Sequence, residues 1–397
     1  MGEFVVTGGR FRLALTGGTA VLAVLTAGSL AGCSVGSAGR LASGESGEPV
    51  TITPANGTAQ VRPDGTIEVK AAGGRLQKVT VQGPGATVTG AFGDDRKVWR
   101  SDRTMTPGTA YTVTAQVRDD GKTRTATSSF TTLKAARTLK IADVTPNVKN
   151  EKVGIGMPII VTFDGPVADR AAVERTLRVT PEKPVEGAWR WVGQDKAIYR
   201  TKTYWKPHQT VRFHARLAGV NAGGGVYGAE DAEATLTIGA AQITKGDIRK
   251  HHMTVTRDGK KLKTLPFSAG NGQTREYTTT SGVHLLMEKG NPVTMTAPGR
   301  KPGDPGYYKT VVDHAVRFSN SGEYTHSAPW SVGSQGSANV SHGCINLSPA
   351  DARWYYDIMQ RGDVIELTGT DRQVEWDNGW GFWQMPFDEW REGGALR

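Results

Sequence analysis

Cysteine is scarce in this chain: 397 residues hold two, Cys33 and Cys344. An oxidising compartment would pair them or leave both idle, so any other use of either thiol calls for a chemical reason. Long helical periodicity is missing as well. Short alternating runs of threonine and valine, broken by 51 glycines, take its place and point to an all-β fold. Lys and Arg exceed Asp and Glu by a formal charge of +10 but never gather into a run of five or six. That scatter, with no recognisable reading module, argues against nucleic acid as a partner. It suits work beside anionic lipids and anionic polymers. No His-Glu-x-x-His or paired-cysteine motif occurs, and His251 and His252 precede a strand without metal-ligand spacing, so no metal is expected. Gly223-Gly224-Gly225 lacks the strand, Lys and Ser/Thr of a phosphate loop and reads as a plain loop, while His208 and His214 read as surface residues.

What is present begins with Arg10 and Arg12, followed by an apolar stretch from Leu13 to Leu30 broken by Gly17, Gly18 and Gly28. A charged segment and then an apolar one make an export signal, with a single transmembrane anchor as the alternative. Leu30-Ala31-Gly32-Cys33 looks like a bacterial lipobox, in which the cysteine takes lipid on sulfur and becomes the first mature residue. Residues 1–32 are then a signal peptide and the Ser/Gly-rich residues 33–48 a flexible tether. Lipid on Cys33 would hold the chain to a membrane, facing outward, and leave Cys344 as a lone thiol.

From Val50 onward, alternating segments such as Thr66–Lys70 and Tyr111–Ala115 are separated by turn signals, and Asp64-Gly65 and Asp120-Gly121 read as hairpin corners. Val98-Trp99-Arg100, Pro107 and Ala115 recur as Ile198-Tyr199-Arg200, Pro207 and Ala215, an offset of 100 residues throughout. A repeat of that size fits two immunoglobulin-like β-sandwiches, residues 49–136 and 137–241, without the cysteine pair and core tryptophan of antibody domains. A third, β-rich unit spans 242–370 and opens with a hairpin at Asp258-Gly259. The last segment, 371–397, crowds Trp376, Trp380, Phe382, Trp383, Phe387 and Trp390 together; it is expected to dock on the third unit, because an exposed stripe of this kind invites aggregation.

Chemistry concentrates at Ser341-His342-Gly343-Cys344-Ile345-Asn346, preceded by Tyr324-Thr325-His326-Ser327. A cysteine nucleophile needs thiolate character, a base for its proton and donors for the oxyanion formed on the attacked carbonyl. A nearby histidine supplies the base, and the Gly343 and Cys344 amides, free of crowding at the glycine, can supply the donors. Spacing alone does not choose between His326 and His342.

The stretch resembles the catalytic motif of the L,D-transpeptidase (YkuD-type) family: a histidine, about fifteen residues, then Ser-His-Gly-Cys, an apolar residue and Asn or Arg. Fifteen positions separate His326 from Ser341, and Ile345-Asn346 completes the pattern. The resemblance extends along the chain to the actinobacterial lipoprotein type with two immunoglobulin-like domains and a Trp-rich tail. It implies Cys344 as nucleophile, His326 as base, the Ser327 main chain orienting the imidazole, and His342 and Gly343 shaping the oxyanion site. Tyr308 would be an aromatic lid, and Ser321, Gly322, Trp330, Ser341 and Asn346 pocket residues; ordinary packing is an equal reading for Trp330. The implied activity joins peptidoglycan stem peptides, a tetrapeptide donor and an amine acceptor, into 3→3 cross-links with release of D-Ala, and requires no cofactor. An L,D-carboxypeptidase, a protein-to-peptidoglycan attachment enzyme and a non-catalytic wall-binding lipoprotein are the rival readings.

Overall fold

The computed structural model describes residues 50–84, 88–297 and 299–396. The expected signal peptide, the tether and Cys33 lie outside the described residues. The fold is all-β, with short helices such as Pro349–Ile358 between strands.

Alternation explains the first sandwich. Along Ala110–Asp119, Tyr111, Val113, Ala115 and Val117 point into a core shared with Ile67, Val69 and Leu76. This strand lies between Arg75–Gln82 and Lys122–Thr131, and the facing sheet runs Val50–Thr53, Glu68–Ala71, Val98–Ser101, Gly90–Phe92. The second sandwich repeats the plan. Ile141–Thr145, Ile159–Phe163, Lys196–Thr201 and Gly187–Val192 form one sheet, and Leu177–Pro181, Gln209–Ala215, Ala232–Ile238 and Lys152–Val153 form the other. The matched aromatics Trp99 and Tyr199 both enter the cores, where Trp189, Trp191 and Trp205 join Tyr199 in the second sandwich.

Asp120-Gly121 and Asp258-Gly259 are two-residue hairpin turns with positive φ at both positions. Asp64-Gly65 is not a hairpin corner. The strands it was expected to join already pair across the whole 54–67 connection, inside which Gly65 N–H merely closes a turn on the Arg62 carbonyl.

The third unit has a five-stranded sheet in the order Lys260–Pro266, His252–Arg257, Gln242–Asp247, Val364–Thr368, Gly282–Leu285. A second sheet runs Glu288–Gly290, Ala315–Arg317, Tyr324–Ser327, Ile345–Leu347, and Phe267, Phe318, Ile345, Tyr355 and Ile365 fill the core. The hairpin of Val293–Thr296 and Lys309–Val312 forms a small sheet of its own. The core of the second sandwich continues into this unit through Leu285 and Val364. Close backbone approach makes the join: Gly154 N–H donates to the Arg361 carbonyl at 2.7 Å, and a Cβ on Gly154 would sit 2.2 Å from the Asp363 nitrogen.

The aromatic tail corrects an expectation. It docks on the second sandwich as well as on the third unit, because the outer face of the Gly187–Val192 sheet is itself apolar. Phe382, Met385 and Trp390 pack on Ile198, with Ile160 and Ala188 beside them. Arg200 shows the difference context makes. Its repeat partner Arg100 lies in the open against Glu68, whereas Arg200 is 2% exposed, donates to the Met385 carbonyl and stacks on Trp383, Phe387 and Trp390. On the other side, the Val283 amide donates to Gln384 Oε1 at 2.8 Å, so the tail straps the two units together. Trp390→Ala is expected to cost about 3–5 kcal/mol, read as a lowered unfolding midpoint in urea with both units affected together.

Candidate active site

Two parallel strands build the site. Tyr324–Ser327 and Ile345–Leu347 pair in the register Thr325 to Ile345, His326 to Asn346 and Ser327 to Leu347. Side chains alternate, so Ile345 and Leu347 enter the core while His326 and Asn346 share the opposite face. Continuing the register by one residue sets Cys344 beside Tyr324, on the face of His326. Both line a cleft of about 510 Å³ together with Tyr308, Trp330, Ser341 and Asn346.

His326 is buried, and its Nδ1 lies 2.9 Å from the Ser327 carbonyl. That carbonyl can only accept, so Nδ1 carries the proton and Nε2 is left basic. Burial depresses the imidazole below its ordinary range, the Ser327 bond opposing weakly, so the ring is neutral at pH 7. Cys344 donates its thiol proton to the Gly322 carbonyl at 3.6 Å. Its sulfur is partly accessible at the cleft yet enclosed on its other sides, and burial pushes the thiol up to about 12 in spite of a hydrogen bond from the Tyr324 main chain. At rest, therefore, a neutral thiol and a neutral imidazole share the cleft.

His342 is placed differently. It is exposed, its ring 4.5 Å from Tyr277 and 5.1 Å from Tyr308. With Met295 and Tyr308 it borders both that cleft and a second one of about 450 Å³ lined by Glu276, Tyr324 and Arg372. Tyr308 enters the Lys309–Val312 strand of the overlying hairpin.

The Gly343 amide, expected as an oxyanion donor, has an acceptor of its own. Gly343 adopts φ +123°, its N–H donates to Ser341 Oγ at 3.1 Å, and its carbonyl accepts from Thr279 Oγ1 at 2.7 Å. Ser341 Oγ in turn donates to the Cys344 carbonyl, so this serine staples the turn. Among the described residues the Cys344 amide has no acceptor, which leaves it as the candidate oxyanion donor.

Two of the expected pocket residues have partners of their own. Asn346 Nδ2 donates to Ser331 Oγ at 3.0 Å, fixing the short helix that carries Trp330, which is 60% exposed at the cleft mouth and 6.1 Å from the His326 ring. Ser321 is held at both main chain and hydroxyl by Asn378 of the tail, and Gly322, at φ +91°, offers its carbonyl to the thiol. Sequence reasoning missed Glu323, Thr280 and His284, which form a buried polar group behind this loop. The run Thr278-Thr279-Thr280-Ser281, four hydroxyls ahead of a strand, was the available signal.

Two sandwiches ahead of a cleft that brings a lone thiol to a tautomerically fixed imidazole define a modular β protein with an acyl-transfer type of site. Family models agree with each part: one for a bacterial Ig domain matches residues 58–221, and one for the L,D-transpeptidase catalytic domain matches 243–367. L,D-transpeptidase 2 of Mycobacterium tuberculosis (strain CDC 1551 / Oshkosh) is 34% identical over 87% of this chain and 85% of its own. L,D-transpeptidase 5 of Mycobacterium tuberculosis (strain H37Rv) is 34% identical over 87% of this chain and 77% of its own. A solved L,D-transpeptidase in complex with imipenem aligns over 58% of this chain and 99% of its own at 37% identity, with a TM-score of 0.50. The chain belongs to the L,D-transpeptidase family and is an acyltransferase-type enzyme.

Because the thiol is raised rather than depressed, alkylation of Cys344 by iodoacetamide is expected to accelerate by about tenfold per pH unit between pH 7 and 10. A plateau near neutrality, read by peptide mass, would show instead that a thiolate–imidazolium pair exists at rest.

Proposed function

We propose that the protein is a peptidoglycan L,D-transpeptidase that forms 3→3 cross-links through a thioester on Cys344. The observation that carries this reading is the strand register that puts the Cys344 thiol and the His326 imidazole on one cleft face, with His326 Nδ1 held on the Ser327 carbonyl. His326 Nε2 takes the thiol proton as sulfur attacks the carbonyl of the third-position diamino acid in a tetrapeptide stem. The oxyanion draws on the Cys344 amide. Collapse breaks the bond to D-Ala, whose amine leaves with the proton from His326. An acceptor amine then gives a proton to His326 and attacks the thioester, forming the cross-link, and the sulfur recovers its proton.

The cleft that holds Cys344 and the neighbouring cleft share Met295, Tyr308 and His342, and accommodate a donor and an acceptor stem on separate sides. The Tyr308 hairpin above them limits water, which favours aminolysis over hydrolysis. Trp330 and Asn346 border the first cleft as substrate contacts, and Ser321 and Gly322 the second. Residues 49–136 and 137–241 act as spacers for the catalytic unit 242–370, with 371–397 as its strap. Lipid on Cys33 keeps the enzyme outside the cell membrane, facing the wall.

Incubation with imipenem and intact-mass measurement test the assignment. One drug equivalent is expected on the wild-type chain and none on Cys344→Ala, with His326→Ala slowing acylation by roughly 10²–10⁴-fold. Absence of any adduct on the wild type would overturn it.

A further inference from the structure

We infer that Glu323 is a positioning residue for Cys344: its buried carboxylate anchors to Thr280 and Ser321 the loop whose Gly322 carbonyl accepts the thiol proton. The inference rests on Cys344 being the nucleophile.

Glu323 lies between Gly322, whose carbonyl accepts the thiol proton, and Tyr324, whose main chain hydrogen-bonds the sulfur. It is 3% exposed, and among the described residues no Lys or Arg forms an ion pair with it. Its oxygens accept instead from the Thr280 amide at 2.7 Å, from Thr280 Oγ1 at 2.9 Å and from Ser321 Oγ at 3.1 Å. All of these are donors aimed at one side chain, the pattern of an ionised carboxylate, which only accepts.

A histidine stands at one remove. Thr280 Oγ1 also lies 2.7 Å from His284 Nε2. His284 Nδ1 faces the Ile365 carbonyl at 3.3 Å, and the ring packs edge-on to Phe318 with no exposure. Burial depresses the basicity of His284 and the Glu323 carboxylate opposes that. Glu323, Thr280 and His284 thus form one buried hydrogen-bonded chain behind the nucleophile, bridged by a hydroxyl.

Glu276 and Arg372 share the lining of the second cleft with Glu323, and the Arg317 guanidinium donates to the Ser319 and Asn320 carbonyls of the same loop. Arg372 is committed to the Arg275, Glu276 and Thr278 carbonyls, and Glu276 to Arg300. The thiol therefore feels the carboxylate, which adds to the effect of burial in holding its proton. Loss of that proton is coupled to attack, when His326 takes it. A Cβ added at Gly343 would lie 4.0 Å from Glu323 Cγ, so the anchored loop and the cysteine turn are neighbours.

The test is the pH profile of Cys344 alkylation by iodoacetamide in the full chain, read on the Cys344 peptide, beside the rate of imipenem acylation. Glu323→Gln is expected to raise alkylation at pH 8 by about 3–10-fold and to slow acylation at least tenfold, while Glu323→Asp keeps the slow alkylation. Superimposable profiles for wild type and a folded Glu323→Gln overturn the inference. If that variant does not fold, Thr280→Val removes the bridging hydroxyl, and an unchanged profile there overturns it equally. A wild type that imipenem leaves unmodified sinks the transpeptidase reading; the alkylation shift is measured independently of it.

Discussion

The parallel pairing of Tyr324–Ser327 with Ile345–Leu347 is the constraint on which the rest of the site depends. Parallel strands present side chains in fixed step, so one register sets His326 and Cys344 on the same face. The same pairing sends Ile345 and Leu347 into the core, where burial of two aliphatic side chains at roughly 1.5–3 kcal/mol each opposes any slip. A shift by one residue would put Cys344 in the core and Ile345 in the cleft. Stability and chemistry are secured by the same contacts.

Around that pair the protein withholds charge. A reactive cysteine usually sits in electropositive surroundings that depress its pKa. Here burial and a neighbouring carboxylate act the other way, and the imidazole is depressed too. A neutral pair costs less to bury than an ion pair. In the proposed reaction the proton then moves from sulfur to His326 only as the sulfur attacks, with main-chain groups already pointed at it.

The units behind the site are joined rather than strung. The second sandwich shares its core with Leu285 and Val364, and the tail covers Arg200 on one side while reaching Ser321 in the active-site loop on the other. Buried Arg200 shows why the tail is aromatic. A guanidinium removed from water needs acceptors and π faces around it, and the indoles of Trp383 and Trp390 provide the faces.

Much of this was legible in the sequence, for local reasons. Strand alternation, positive-φ turns at Asp120-Gly121 and Asp258-Gly259, and the repeat that matches Ala115 to Ala215 are encoded in neighbouring residues, and so is the Ser341–Asn346 motif. Spacing left His326 and His342 as alternatives, because the seventeen residues between His326 and Cys344 say nothing about which side chains face each other. Tertiary structure set His326 on the strand face of Cys344 and turned the Gly343 amide onto Ser341 Oγ. It also set the tail against two units and assembled Glu323, Thr280 and His284 from separate segments. Sequence by itself determined which elements form and which side chains can react; only folding decided which of them meet, because hydrogen-bond partners and burial are properties of neighbours in space.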